Sequence, residues 1–231
     1  MKSIRKHLEK LREVKKKHYH PLIHKIHKKH KISKRTLFYV KEYGPHTNVP
    51  KTIIKESIKI LLFASIISSL GGFALEQVKA IFIAIVPLLV LMPVLNGMIG
   101  NYGIVVSSKF STMLHENKVK KKWWEIRELK KLALQIFLIS LLTTVLSTSI
   151  ALLASPFLGY SLTKITISKI FLISILDVVL LVSILFLVAI FAGIYFYKKG
   201  EDPSNFLIPI TTSIADFGNM LLLSLLVILF F

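Results

Sequence analysis

The chain has 231 residues, of which 53% are hydrophobic, and its mean hydropathy of +0.63 excludes an ordinary soluble domain and predicts an all-α polytopic membrane protein. It contains no cysteine, which excludes disulfides, thiolate metal sites and covalently attached haem. Its formal net charge of +19 lies mostly before residue 60 and between Lys118 and Lys131, and such asymmetry in a membrane protein first indicates orientation.

Residues 1–50 form a basic, His-rich tail ahead of the first apolar stretch. Apolar residues at helical spacing predict a basic amphipathic helix from Ser3 to about His20. Pro21 interrupts that pattern, and a second short helix is predicted from Leu22 to His30. Residues 43–50 are rich in turn formers and predict a linker. We expect the tail to lie on the cytoplasmic side, against anionic lipid headgroups.

Five histidines are clustered in this tail. They are His18, His20, His24, His27 and His30. One interpretation is a transition-metal site or a pH sensor, because imidazole binds such metals and titrates near neutral pH. The other is a solvated basic face on anionic headgroups. The second is favoured, because the intervening lysines repel a divalent ion and no carboxylate lies among the histidines.

Five apolar stretches are long enough to cross the hydrocarbon core, which needs about 20 helical residues. The predicted spans are residues 52–75, 80–113, 132–154, 170–197 and 206–231. An odd number of spans places the two termini on opposite sides of the membrane. The tail, the loop after the second span and Lys198–Lys199 then share one side, so the positive-inside rule predicts a cytoplasmic N-terminus and an external C-terminus. We expect a multi-pass protein of the cell (plasma) membrane.

Small residues fill the outer half of the first span. They are Ser65, Ser68, Ser69, Gly71 and Gly72. Close packing between membrane helices favours residues of this size, so we expect the first span to approach a neighbouring helix closely. The following segment, Glu76-Gln77-Val78-Lys79, predicts a tight outer turn before the second span.

The second span is longer than a bilayer requires and is rich in proline and glycine. It contains Pro87, Pro93, Gly97, Gly100 and Gly103. The residues that share or border one helical face are Asn96, Gly97, Gly100, Asn101, Gly103 and Ser107. Broken or glycine-lined helices at membrane depth are tolerated where they line a cavity. The same glycines would also suit a packing seam without a ligand, and spacing alone leaves both interpretations open.

Lysines and two tryptophans fill the loop from His115 to Lys131. Trp123 and Trp124 among lysines are typical of a cytoplasmic membrane-interface anchor. A nucleic-acid patch would use the same basic residues. The anchor is favoured, and we expect no nucleic acid partner.

The fifth span carries a single charge, Asp216, near its middle. An ionised Asp at the bilayer centre costs ~2.5–3.5 kcal/mol on insertion scales, so it should face protein, water or an ion rather than lipid. Thr212 and Asn219 lie on the same helical face. This polar stripe predicts an ion pathway along the fifth span.

Asp177 lies inside the fourth span at a depth similar to that of Asp216. Two such acids could share a proton, as in an aspartyl intramembrane protease. The usual Gly-x-Gly-Asp is missing, because Ser213-Ile214-Ala215 precede Asp216. We therefore expect no enzyme, and we interpret Asp177 as an outer-pore or packing acid paired with a polar partner.

Two blocks in the second and fifth spans follow distinctive patterns. One is Pro93-Val94-Leu95-Asn96-Gly97-Met98-Ile99-Gly100-Asn101-Tyr102-Gly103. The other is Asp202-Pro203 followed by Pro209-Ile210-Thr211-Thr212-Ser213-Ile214-Ala215-Asp216. Together they resemble the membrane domain of the MgtE-type magnesium channel or transporter family, with its proline-led Gly-Asn-x-Gly segment and its Asp-Pro, Pro-x-Thr-Thr and Asp pattern. The resemblance covers about Lys51 to Phe231.

The resemblance implies a cation pore built from the second and fifth spans of a dimer, either a homodimer or a pairing with a similar half-size chain. It implies that Asp216 is the acid of the central ion site, beside Asn101 and the backbone of Gly97 and Gly100. The other candidate pathway residues are Asn96, Thr211, Thr212, Asn219 and Asp177.

The polar stripe predicts an ion pathway, and the resemblance implies that the cargo is a divalent cation, Mg²⁺ first among them, with no resident cofactor. Mg²⁺ keeps several waters when bound, and a midplane carboxylate can accept hydrogen bonds from those waters. Two symmetry-related Asp216 side chains would neutralise a divalent ion. A proton-coupled exporter of the same ions stays open. So does a non-transporting, insertase-like protein whose basic tail meets ribosomal RNA.

Overall fold

In the computed structural model of the chain, the described residues are 19–31, 49–116, 118–119, 123–199 and 202–231. These residues form six α-helices and two short 3₁₀ helices, with no strand among them. The α-helices are α1 (Tyr19–His30), α2 (Val49–Ala84), α3 (Val86–His115), α4 (Arg127–Ala154), α5 (Lys164–Lys199) and α6 (Pro203–Phe230). The 3₁₀ helices are Trp123–Glu125 and Ser155–Leu158.

Helices α2 to α6 are each long and apolar enough to cross a membrane, which confirms the predicted all-α membrane fold with five spans. They have 28 to 36 residues. At ~1.5 Å per residue each helix extends beyond a hydrocarbon core of about 30 Å. This explains why α4 begins at Arg127 and α5 at Lys164, ahead of the predicted starts at residues 132 and 170. Hydropathy finds the lipid-embedded part of a helix and misses its polar ends.

The predicted outer turn at Glu76–Lys79 is wrong, because this segment lies inside α2, which continues to Ala84. The two ends of the segment, three residues apart, form an ion pair on the exposed helix surface, which favours a continuous helix. The chain breaks at Ile85 instead. Pro87 then occupies the first turn of α3, where its missing N–H removes no helical hydrogen bond. Pro93 stays inside α3.

Helix α6 lies at the centre of the bundle, against α2, α3 and α5, and α4 packs against α3 and α5. Buried leucine, isoleucine, valine and phenylalanine side chains form the core between these helices. Glycines allow close approach in two places. A Cβ at Gly218 of α6 would lie 2.7 Å from Leu181 Cδ2 of α5, and one at Gly193 of α5 would lie 2.8 Å from Phe110 Cδ1 of α3. These contacts determine which face of α5 meets α6 and α3.

Helix α2 stands at one side of the bundle, and its main neighbour is α6. The close packing predicted for the first span is confirmed at Gly71, where a Cβ would lie 2.9 Å from Met220 Sδ of α6. At Gly72 a Cβ would meet no atom within 4 Å. Large apolar side chains such as Leu62 and Phe73 are exposed on the remaining surface of α2, as expected for a helix that faces lipid.

The described part of the tail is α1. This helix begins at Tyr19 and not at the predicted Leu22, so Pro21 lies in its first turn. The amphipathic helix predicted from Ser3 to about His20 lies almost entirely outside the described residues. Within those residues, no group of three or more His, Asp or Glu side chains could hold a metal ion. The division into a tail and a membrane domain near residue 50 stays a prediction.

Candidate ion site

Asp216 of α6 is contacted by neutral donors from two neighbouring helices. Ser68 Oγ of α2 donates to its Oδ2 at 3.2 Å, and Asn96 Nδ2 of α3 donates to its Oδ1 at 2.9 Å. The Asp216 side chain is partly buried. No basic side chain in the described part of the chain forms an ion pair with it. The carboxylate is therefore oriented by hydrogen bonds that leave its negative charge without a compensating cation.

Asn96 links Asp216 to a second amide. Its Oδ1 accepts a hydrogen bond from Asn219 Nδ2 at 3.2 Å, and Asn219 is fully buried. An amide offers both a donor and an acceptor, so Asn96 can turn its nitrogen toward the carboxylate and its oxygen toward Asn219. The predicted candidates Asn96, Asp216 and Asn219 thus belong to one hydrogen-bonded network.

A cleft of about 430 Å³ lies between α2 and α6, in front of Asp216. Its polar lining consists of Ser65, Ser68 and Ser69 of α2 and Thr212, Ser213 and Asp216 of α6. A water molecule occupies ~30 Å³ in the liquid, so the cleft has room for several waters. The structure thus places Thr212 in the lining and adds hydroxyls from α2 to the predicted stripe.

Most hydroxyl groups of the cleft donate a hydrogen bond to a backbone carbonyl. Thr212 Oγ1 donates to the carbonyl of Ile208 at 2.9 Å, Ser69 Oγ to that of Ser65 at 2.8 Å and Ser213 Oγ to that of Ile210 at 3.0 Å. Ser68 Oγ donates its hydrogen bond to Asp216. A hydroxyl group that donates a hydrogen bond still has two lone pairs with which to accept others. The cleft therefore offers acceptors, which suit a cation or the waters bound to a cation.

Gly97, Gly100 and Asn101 do not line this cleft. Asn101 and Gly97 lie on the exposed face of α3, whereas Gly100 is buried. A Cβ at Gly97 or Gly100 would meet no atom within 4 Å. Within one chain, Gly97 and Asn101 therefore lie exposed on α3, and no neighbouring side chain fills the space beside Gly97 or Gly100.

Gly103 has the opposite environment. A Cβ there would lie 3.2 Å from Thr211 Cβ of α6. The buried Thr211 hydroxyl lies 3.0 Å from Ser107 Oγ of α3 and also donates to the carbonyl of Leu207 at 2.8 Å. Gly103, Ser107 and Thr211 therefore form a packing contact between α3 and α6, as the packing-seam interpretation expects.

Asp177 of α5 is fully buried, and neither of its carboxyl oxygens has a hydrogen-bond partner among the described residues. The predicted polar partner is therefore wrong for the described part of the chain. The hydrogen bonds of Asp216 come from Ser68 and Asn96, so the two acids do not share a hydrogen-bonded proton as a protease dyad would.

A largely buried pair joins the C-terminal end of α3 to the residue that precedes α6. His115, predicted in a loop, is the last residue of α3, and its Nε2 lies 3.3 Å from Asp202 Oδ1. Asp202 also caps α6 by accepting from the backbone N–H of Ser204 at 3.1 Å. Burial raises the pKa of Asp202, but hydrogen bonds from His115 and Ser204 outweigh burial and hold that pKa below its usual value.

Sequence reasoning missed two parts of this arrangement. The serines of α2 were assigned to packing, although Ser65, Ser68 and Ser69 repeat at helical spacing and so share one polar face. The second omission is the contact between His115 and Asp202. These residues are 87 positions apart, and no local pattern in the sequence indicates that they meet.

A comparison with protein families places this geometry in context. A family model described as MgtE, divalent cation transporter, matches residues 92–226, which is more than half of the chain. The matched range contains both sequence blocks, whereas α2 with Ser68 precedes it. No curated protein and no solved structure matched the chain. The matching family is one of transporters and not of enzymes. The chain, a multi-pass membrane protein by its five spanning helices, therefore belongs to the MgtE family of divalent cation transporters.

Proposed function

We propose that this chain carries divalent cations, and Mg²⁺ in particular, across the cell membrane, with Asp216 as the acid of the ion site. The observation that carries the proposal is the cleft between α2 and α6. The cleft contains the Asp216 carboxylate, which no cationic side chain of the described residues neutralises. The hydroxyl oxygens that line the cleft can accept further hydrogen bonds or bind a cation. A negative charge at membrane depth that no cationic side chain of the described residues compensates is best explained by a cation that passes through the site.

Hydrated Mg²⁺ fits this chemistry better than a bare ion does. Mg²⁺ dehydrates reluctantly and usually keeps several waters, which bind to the protein as hydrogen-bond donors. The cleft of about 430 Å³ can hold such waters, and its walls supply acceptors at Asp216, Thr212 and Ser69. Attraction to the carboxylate would then select for cations, and the second charge of Mg²⁺ would favour it over monovalent ions.

A second copy of the chain, or a similar half-size chain, completes the pore in this proposal. Lipid offers no hydrogen-bond partner to the exposed amide of Asn101, and the lack of a side chain at Gly97 leaves room for another helix to approach closely. Small and amide residues on a membrane helix suit a close helical partner. Two facing Asp216 side chains would also balance the two charges of the cargo. In this arrangement α3 and α6 line the pore, and α2 supplies additional acceptors.

Orientation follows from the distribution of charge. The tail and the loop before α4 carry most of the Lys and Arg residues, so we place the N-terminus in the cytoplasm and the C-terminus outside. The basic tail would then contact anionic headgroups of the inner leaflet.

Uptake by purified protein in liposomes tests the proposal. Asp216→Asn keeps the shape of the side chain but removes its charge, so uptake reported by a trapped Mg²⁺-sensitive dye should be lost while the protein stays folded. Ser224→Ala is the matched control, because Ser224 lies on α6 outside the cleft and donates only to the carbonyl of Met220. That variant should transport at the wild-type rate. Wild-type uptake by Asp216→Asn would exclude Asp216 as the ion-site acid.

A further inference from the structure

A second membrane acid, Asp177, is not used by the ion site. It is 0% exposed, and both carboxyl oxygens lack a hydrogen-bond partner among the described residues. Ser174, one turn away on the same buried face of α5, also has an unpartnered hydroxyl. An ionised carboxylate is strongly unfavourable in such a place unless a positive species accompanies it.

No basic side chain of the helices packed around Asp177 is placed to supply that charge. The described charged or titratable residues of these helices near the membrane surfaces are Lys109 and His115 of α3, Arg127, Glu128, Lys130 and Lys131 of α4, Lys164, Lys169, Tyr195, Tyr197, Lys198 and Lys199 of α5, and Asp202 at the start of α6. Deeper in the membrane lie Tyr102 of α3, which is hydrogen-bonded to Thr143, and Asp216 of α6. Lys169 is the nearest cation along α5, but it lies two turns away, with its ammonium 4.9 Å from the centre of the Phe231 ring.

A proton satisfies this site better than a metal ion does. Metal ions such as Na⁺, Mg²⁺ or Ca²⁺ need about six oxygen ligands. The buried neighbours of Asp177 along α5 are apolar except for Ser174, and they include Ile173, Val178 and Leu181. Along α5, one carboxyl group and one hydroxyl fall far short of a metal's ligand set, and no group of three or more His, Asp or Glu side chains among the described residues could hold a metal ion. A single proton neutralises the carboxylate without further ligands.

The position of Asp177 connects it to the ion site. Leu181, one turn along α5, packs into the space left by Gly218 of α6. The next residue, Asn219, has an unpartnered Oδ1 and donates through its Nδ2 to Asn96, which in turn donates to Asp216. One turn of α5, the contact between Leu181 and Gly218 and two hydrogen bonds thus lie between Asp177 and Asp216, and this is the path by which we expect a change of charge at Asp177 to act on Asp216.

We propose that Asp177 is a proton-binding site of the transporter, which holds a proton in the conformation described above and releases it during the passage of a divalent cation. On release the carboxyl O–H bond breaks, water that enters between the helices takes the proton, and the carboxylate remains on α5. Two copies of the chain would release two protons for one divalent cation, which balances charge. The coupling rests on the proposed transport function, whereas the protonation of Asp177 does not.

Infrared spectroscopy of the purified protein tests the protonation directly, because a carboxylic acid and a carboxylate have separate C=O stretching bands. We expect an acid band at neutral pH in the wild type that Asp177→Asn removes. Asp202→Asn is the control and should leave the band unchanged, because the pKa of Asp202 is lowered and its carboxyl is ionised at this pH. An acid band that survives in Asp177→Asn, or no such band in the wild type, overturns the proposal. If Asp177→Asn does not fold, Asp177→Leu replaces it, since an apolar side chain matches the surrounding core.

Liposomes with a trapped pH-sensitive dye test the coupling. We expect Mg²⁺ entry to move protons outward in the wild type, and we expect this proton movement to be lost in Asp177→Asn. Uptake by that variant should no longer respond to an imposed pH gradient. Wild-type Mg²⁺ uptake without proton movement would overturn the coupling and leave the proposed function intact. Absence of any divalent uptake by the wild type would contradict the proposed function and the coupling, while the infrared result still decides whether Asp177 holds a proton.

Discussion

Asn96 is the residue on which the geometry of the ion site depends most, and Asn96→Ala measures that dependence. The change removes the amide that donates to Asp216 at 2.9 Å and accepts from Asn219 at 3.2 Å. A hydrogen bond to a charged group contributes about 1.5–3 kcal/mol in water-soluble proteins. Bonds between membrane helices average about 0.6 kcal/mol and reach about 1.7 kcal/mol, because the unfolded chain in the membrane finds other partners.

The burial of Asn219 determines which of these free energies applies to Asn96→Ala. Without Asn96, the Nδ2 of Asn219 loses its acceptor, and the Oδ1 of Asn219 already lacks a donor among the described residues. A stranded buried amide costs about 1–3 kcal/mol. We therefore expect Asn96→Ala to lower the free energy of unfolding by about 1–3 kcal/mol and to reduce Mg²⁺ uptake, since Asp216 loses one of its two orienting donors.

Asn101→Ala is the matched control, because it makes the same chemical change on the same helix at an exposed position. In detergent at low protein concentration it should change the free energy of unfolding by less than about 0.5 kcal/mol. The assay is denaturant unfolding followed by tryptophan fluorescence. Equal destabilisation by Asn96→Ala and Asn101→Ala would show that the hydrogen bonds described for Asn96 contribute nothing measurable, and the reasoning would fail.

Two further predictions concern packing and pH. Gly193→Ala should destabilise the protein by about 1–3 kcal/mol, because its Cβ would lie 2.8 Å from the Phe110 ring, whereas Gly72→Ala, with no atom within 4 Å, should be near neutral in thermal unfolding. The lowered pKa of Asp202 contributes stability at pH values above the pKa of an unfolded Asp, and that contribution is lost as the pH falls through the folded pKa. Asp202→Asn should therefore lower the melting temperature at neutral pH and flatten its decline in acid, and an unchanged acid decline would contradict the role of the pair with His115.

The spans could be predicted because hydropathy depends on composition over about 20 residues and not on tertiary contacts. The turn between the first two spans could not, because Glu76 and Lys79 look like a polar break in a list of residues and act as an ion pair on a continuous helix. The true break depends on Pro87, which the sequence pattern assigned to a helix interior although it begins a helix.

The ion site was only partly predictable for a related reason. Helical spacing tells which residues of one helix share a face, so it grouped Thr212, Asp216 and Asn219. It does not tell which neighbouring helix that face meets. The hydrogen bond from Ser68 to Asp216 depends on how α2, α3 and α6 are arranged, and so does the fact that Gly103 packs against α6 while Gly97 does not. No pattern within one helix contains that information.

Three acids of this chain differ more in what surrounds them than in their chemistry, and that difference separates the roles we assign. Asp202 faces His115 and a helix N-terminus, so its charge is compensated within the protein and its contribution is to stability. Asp216 faces neutral donors and a cleft of acceptors, so its charge is oriented but still available to a cation. Asp177 is fully buried and has no hydrogen-bond partner among the described residues, so the role we propose for it is to hold a proton. The surroundings of each carboxyl group therefore determine its role, and an Asp placed elsewhere on the same helix would not take over that role.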